Sequence, residues 1–315
     1  MIDLQDVREA ARRISGHVRR TPLVKADQLD PALLDGDLWL KLECLQVTGS
    51  FKARGAMSRL LAAPRKLIER GIVTASGGNH GVAVARAGHL AGVATTVFLP
   101  DNASPLKLAK LSAWGAELRI VGKIWDEADI AARAFAAERQ AAYFHPFADP
   151  DIVAGQGTVA LEILDELPDL DHYLIAIGGG GLIAGMAKTI RSLQPKARII
   201  GIEPTGSPTL KASLDAGEVV SLPAVTTRVP TMACGRTDPR IFELVRDCVD
   251  DIVLVEDEDM IEAARWLWLE FGLAADLSGA AACAALRSRR VSLPTGARVC
   301  GLVCGAGTDG LGPPS

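Results

Sequence analysis

The run TGSFKARGA, Thr48 to Ala56, seals Lys52 between Phe51 and Ala53 ahead of a helical-looking stretch rich in Ala, Met and Leu. An ammonium group among apolar neighbours loses hydration, its pKa falls toward neutrality, and the free amine can form Schiff bases with carbonyl compounds. A lysine snorkelling from a helix start is the commoner fate of this residue, so Lys52 needs companions to count as a catalyst. Two clusters offer them. Gly178, Gly179, Gly180, Gly181 and Leu182 follow the apolar run HYLIAI and open a helical stretch. Four glycines let the backbone approach a ligand, and free N–H groups at a helix start attract an anion, so a phosphate is the natural guest. Ser76, Gly77, Gly78, Asn79 and His80 occupy the same place after GIVTA and suit a carboxylate. An ordinary N-cap by Ser76 or Asn79 is the plain account of that second cluster.

The phosphate has two possible owners. Gly179-x-Gly181-x-x-Ala184 satisfies the dinucleotide fingerprint, and Glu203 lies about 20 residues on, where an acid would hold a ribose. A nicotinamide oxidoreductase is therefore one reading, although it leaves Lys52 without a role. A P-loop is excluded, because no Gly-Lys-Ser/Thr follows a glycine at the required spacing. A phosphate cradle, a Schiff-base lysine and a carboxylate nest together suggest pyridoxal 5'-phosphate and an amino acid.

These residues need elements to hold them. Short β-branched runs alternate with longer Ala/Leu-rich stretches: GIVTAS then Gly81 to Leu90, ATTVFLP then Pro105 to Trp114, ELRIV then Trp125 to Arg139. Beyond HPFADPD the alternation resumes with Gly157 to Leu167, HYLIAI, Leu182 to Leu193, ARIIGIEP, Pro208 to Ala216, DIVLVED, Asp259 to Phe271 and ARVCGLVC. Apolar rather than alternating strands, each followed by a helix, imply an α/β protein with parallel sheets covered on both faces. The turn His145 to Asp151 is the best crossing between domains, and Val219 to Pro239 reads as an ordered loop.

Composition removes several function classes. The chain has 315 residues, 23% of them charged, and a net charge of -4, which gives nucleic acid or an anionic membrane nothing to hold. Its N-terminus reads as an amphipathic helix and lacks the apolar centre of a signal peptide. Leu174 to Ala187 is too short to span a bilayer, so a cytoplasmic protein is expected. Six cysteines without a CxxC pair, and five histidines without HExxH spacing, argue against a disulfide scaffold and a zinc site.

SFKARGA with Lys52, SGGNHG with Asn79, AGQGT at Ala154 to Thr158, GGGGL at Gly178 to Leu182 and VCGAG at Val303 to Gly307 resemble the pyridoxal-phosphate enzymes of the tryptophan synthase β type. The serine/threonine dehydratase and serine racemase branch is the nearest, and the resemblance runs in order through nearly the whole chain. It implies two parallel-sheet, three-layer αβα domains: a large one from residues 1–70 and 149–315, and a small inserted one, 71–148, that closes over the substrate. It also implies a homodimer. By the same resemblance Lys52 carries the cofactor with Phe51 packed beside it, Asn79 bonds the pyridine hydroxyl, Gly178 to Leu182 hold the phosphate, and Ser76 to His80 take the substrate. Cys304 falls beside the pyridine nitrogen. So weak a partner does not hold a proton there as an aspartate would, which favours elimination over transamination.

Departures from the family pattern refine the expectation. Serine racemases carry a serine where this chain has Gly77 and an asparagine where it has Phe147, and both changes weigh toward a dehydratase. Related enzymes bind a divalent cation through a glutamate, a carbonyl and an aspartate; Glu203 and Ser207 match, but the aspartate position is Thr209, so no metal is expected. Thr231-Met-Ala-Cys-Gly235 only loosely matches the family's TIADG-like segment, and Arg236 after it either receives an acidic substituent, as in 3-hydroxyaspartate, or pairs with Asp238. The leading expectation is an ammonia-lyase acting on L-threonine or L-serine. Its alternatives are a racemase, a β-replacement synthase, a 3-hydroxyaspartate dehydratase, a nicotinamide oxidoreductase and a cofactor-binding protein without turnover.

Overall fold

The computed structural model describes every residue except 30, 102–104, 124 and 313–315, and the side chains of 105–107. The chain opens with α1 (Leu4–Ile14), β1 (Leu23–Lys25), β2 (Gly36–Lys41), α2 (Lys52–Ala62) and α3 (Arg65–Ile68). There follow β3 (Ile72–Ala75), α4 (Asn79–Ala91), β4 (Thr95–Leu99), α5 (Pro105–Ala113), β5 (Glu117–Ile120), α6 (Trp125–Arg139) and β6 (Ala142–Tyr143). The rest is α7 (Pro150–Glu166), β7 (His172–Ala176), α8 (Gly181–Leu193), β8 (Arg198–Pro204), α9 (Thr209–Ala216), α10 (Pro239–Cys248), β9 (Asp251–Val255), α11 (Asp257–Phe271), α12 (Leu277–Arg287) and β10 (Ala297–Leu302).

Two sheets result. One has six strands in the order β1-β2-β10-β7-β8-β9, the other four in the order β5-β4-β3-β6. Every pairing is parallel except that of β1 with β2. β3, β4 and β7 are buried along their whole length, as apolar parallel strands must be when helices cover both faces. The chain is an α/β protein built on two largely parallel sheets, the class its sequence implies.

This topology assembles the chemistry. Ligands of open parallel sheets bind beyond the carboxyl ends of the strands. Ser76 to His80 follow β3, Gly178 to Leu182 follow β7, and Cys304 follows β10, so all three clusters leave the ends of parallel strands. Lys52 begins α2, whose position a buried ion network fixes: Arg54 reaches Glu43 at 2.7 Å and Glu162 at 2.6 Å, while Lys41 reaches Glu162 at 2.7 Å. Helix α7 lies close against α2 and α8 because glycines stand at the contacts. A Cβ on Gly155 would come within 2.7 Å of Gly55 Cα, and one on Gly185 within 2.3 Å of the Val153 carbonyl. Val219 to Asp238 contains neither helix nor strand, as its prolines and lack of period imply.

Candidate active site

Lys52 Nζ donates to the Pro146 carbonyl at 2.7 Å and lies 5.2 Å from the centre of the Phe51 ring. Its surroundings are poor in charge. Burial pulls its pKa down to about 8, and the thiols of Cys304 and Cys234 offset only part of that. Phe51 in turn donates its backbone N–H to the Cys304 carbonyl at 3.2 Å, so the lysine and the end of β10 are neighbours.

The Ser76–His80 cluster is not an ordinary cap. Gly78 is the N-cap of α4 and no side chain caps the helix; Ser76 Oγ accepts from the Gly78 N–H instead, at 3.2 Å. The N–H groups of the first turn therefore face the site without a side-chain acceptor. Asn79 Nδ2 donates to Asp276 Oδ2 at 2.8 Å, which turns its amide oxygen elsewhere. His80 is buried, with Nε2 3.2 Å from the Phe144 carbonyl, an acceptor that places the ring proton on Nε2. Burial, then the Lys52 charge, holds its pKa well below the usual histidine value.

Each glycine before α8 has a reason in its neighbours. A Cβ on Gly178 would meet the Thr231 carbonyl at 2.8 Å, and one on Gly181 the Phe147 carbonyl at 2.6 Å. Gly180, the N-cap of α8, has φ +91°, where other residues are strained. The Phe147 ring itself packs on Gly179. Glycine number alone is thus explained by packing, and the case for an anion rests on the helix start, which no side chain caps. Thr231 lies between the two clusters, its Cγ2 4.0 Å from where a Cβ of Gly78 would stand.

Cys304 is buried, with Sγ 3.6 Å from Ser278 Oγ, and burial followed by the charge of Asp276 pushes its thiol well above the ordinary range. Ser278 Oγ donates to Asp276 Oδ1 at 2.7 Å, and Gly279 N–H does so at 2.6 Å. Asp276, Ser278 and Pro146 were not evident from sequence. The signal for the first two was present: an aspartate directly before an Ala-rich run is a helix N-cap, and Asp276 is the N-cap of α12.

Two sequence readings change. Arg236 donates to Ser221 Oγ at 2.9 Å, and Asp238 pairs with Arg240 at 3.0 Å, so the Arg236–Asp238 pair does not form. Glu203 is fully buried and accepts from Leu210 and Lys211 N–H at 2.8 and 2.9 Å, capping α9, so it cannot hold a ribose as the dinucleotide reading requires. Burial raises its pKa to about 7. The Thr209 and Ser207 hydroxyls both donate to the Cys234 carbonyl. With Glu203 spent on capping α9 and the Thr209 hydroxyl on a carbonyl, two of the three positions offer a hard cation no free anionic ligand.

The residues fit pyridoxal phosphate: an enclosed amine, an uncapped helix start for its phosphate, and Asn79 and Cys304 fixed nearby. The family model of the pyridoxal-phosphate dependent enzymes matches residues 14–305. The L-threonine ammonia-lyase of Geobacter sulfurreducens is 41% identical over 93% of this chain and 73% of its own. Among solved structures, the threonine deaminase of T.th. superposes with TM-score 0.91 at 37% identity, covering 98% of this chain and 99% of that one. Maize serine racemase superposes with TM-score 0.92 at 30% identity, covering 96% and 93%.

Proposed function

The chain belongs to the pyridoxal-phosphate dependent enzyme family, and on that premise we propose that it is an ammonia-lyase converting L-threonine or L-serine to a 2-keto acid and ammonia. The observation that carries this is the Lys52 amine, enclosed beside Pro146 at the start of α2 and drawn toward neutrality. Bound pyridoxal phosphate supplies an aldehyde for the amine and a conjugated ring that accepts electrons from the α-carbon. Lys52 would anchor it, and its free amine would take the substrate's α-proton. The N–H groups of Gly181 and Leu182 at the start of α8 would hold the phosphate, and those of Ser76 to His80 the substrate carboxylate. Asn79, oriented by Asp276, would bond the ring hydroxyl. Cys304 would stand by the ring nitrogen with a thiol rather than a carboxylate, a weak partner that would favour elimination over transamination. One water leaves and one returns on hydrolysis, so the balance is threonine to 2-oxobutyrate and ammonia. Gly77 offers no second proton donor for racemisation.

The same reading gives residues 71–148 as a small domain closing on a large one made of 1–70 and 149–315; the four-stranded sheet, drawn from β3 to β6, supports that division. It also gives a homodimer in the cytoplasm, for which six unpaired cysteines suit a reducing compartment. Among the described residues no helix is long and apolar enough to cross a membrane.

The visible spectrum and a coupled keto-acid assay test the proposal. A yellow protein that releases 2-oxobutyrate from L-threonine, and loses both properties with Lys52→Ala, is the expected result. A yellow protein that binds threonine or serine without keto-acid release would overturn the lyase assignment.

A further inference from the structure

We propose that Ser278 is a positioning residue that turns the Cys304 thiol hydrogen away from the cofactor's ring nitrogen. The inference rests on the reading that places Cys304 beside that nitrogen.

Hydrogen count decides the direction. Asp276 accepts from Asn79 Nδ2 on one oxygen and from Gly279 N–H and Ser278 Oγ on the other. Two of those three donors are N–H groups, which can only donate; burial pushes the Asp276 pKa up while the three hydrogen bonds oppose it, and the ionised carboxylate, which has no hydrogen, can only accept from the Ser278 hydroxyl. The Ser278 hydrogen is therefore committed to Asp276. Its oxygen is left as an acceptor, so the 3.6 Å contact with Cys304 runs from the thiol hydrogen to Ser278 Oγ. A thiol has one hydrogen. Given to Ser278, it leaves only sulfur lone pairs for any other neighbour, and the ring nitrogen receives no donor from this side.

The arrangement is enclosed and has little room to relax. Asp276, Ser278 and Cys304 are 3%, 5% and 2% exposed. A Cβ on Gly305 would stand 2.5 Å from Asp276 Oδ2 and 3.0 Å from Asn79 Nδ2, and one on Gly279 would stand 2.4 Å from the Gly305 carbonyl. The chain Asn79–Asp276–Ser278–Cys304 thus joins the residue assigned to the ring hydroxyl with the residue assigned to the ring nitrogen. The ionisable groups around Cys304 are Asp276 and Cys44, with Lys52 on the site side.

Removing the Ser278 oxygen frees the thiol hydrogen for the ring nitrogen. A donor there withdraws electrons from the ring and makes the proton behind the yellow band more acidic. In protein loaded with pyridoxal phosphate, Ser278→Ala is expected to lower the pH at which the yellow band is lost by roughly half a unit or more, the effect of one hydrogen bond. Ser278→Thr keeps the parental value, and the nearly isosteric Ser278→Cys gives an intermediate one should the alanine variant not fold. In a Cys304→Ala background Ser278→Ala shifts nothing. A parental value in Ser278→Ala, or an equal shift without Cys304, would overturn the inference. Cys304→Ala alone should keep the parental value, because in the parent the thiol gives the ring no hydrogen; a rise in the pH at which the band is lost would show that it does and would overturn the inference, while keto-acid release in that variant would leave the lyase reading standing.

Discussion

Lys52 could be picked out from sequence because its neighbours are apolar, and the same burial gives it a measurable stability signature. Between about 8 and the ordinary lysine value of 10.5 the unfolded chain holds a proton that the folded chain has released. Stability therefore rises with pH across that window; below it both states are protonated and the burial penalty is fully present. In cofactor-free protein, the parent should gain on the order of 2–3 kcal/mol relative to Lys52→Met between neutral pH and the top of that window, read by urea unfolding. A gap that ignores pH would mean the amine stays hydrated. Asp276 could not be picked out in the same way. It lies 197 residues from Asn79 in the chain, and no local spacing announces that the starts of α4 and α12 meet.

At the level of elements, the alternation of strands and helices was legible because parallel strands are apolar throughout and most helices carry a visible period. Helix α12 escaped because it is buried on nearly every side, so its Ala-rich sequence shows no polar face from which to read a period. Helix α7 was expected from Gly157 and begins at Pro150. Its glycines, Gly155 and Gly157, are what let two helices approach it. The cost of glycine in a helix interior, about 1 kcal/mol, is offset by close contact. Gly155→Ala tests this: its Cβ would meet Gly55 Cα at 2.7 Å and the Arg54 carbonyl at 2.8 Å, backbone atoms that cannot swing aside. The variant should lose roughly 1–3 kcal/mol in urea unfolding and bind pyridoxal phosphate more weakly, because α2 carries Lys52. Parental stability would show that α2 and α7 separate freely.

Across the whole molecule, one buried ion network ties the segments that carry the lysine. Lys41 from β2, Glu43, Arg54 from α2 and Glu162 from α7 meet where Arg54, Glu43 and Lys41 are at most 1% exposed and Glu162 is 15% exposed. Glu162 serves both cations, so Glu162→Gln leaves Arg54 with one carboxylate and Lys41 with the Thr21 carbonyl. Losing one partner of a buried pair costs about 3–5 kcal/mol, far more than any exposed pair in this chain would. The network also sets an acid limit. Burial raises the pKa of Glu162, but its bonds to Arg54 and the nearby Lys41 charge outweigh that and hold it below the ordinary value of 4.5. A depressed carboxyl contributes stability that is present above the unfolded value and lost as pH falls through the folded one. Glu162→Gln should therefore be less stable at neutral pH, yet lose stability less steeply than the parent on acidification below about pH 4.5. Urea unfolding of both proteins across that range checks it; parallel acid limbs would place the acid sensitivity elsewhere. Because Arg54 stands two residues beyond Lys52 on the first turn of α2, the acid that loosens the network also loosens the lysine's footing. Loss of the yellow band in the parent should then begin before global unfolding as pH falls, and the two should coincide in Glu162→Gln.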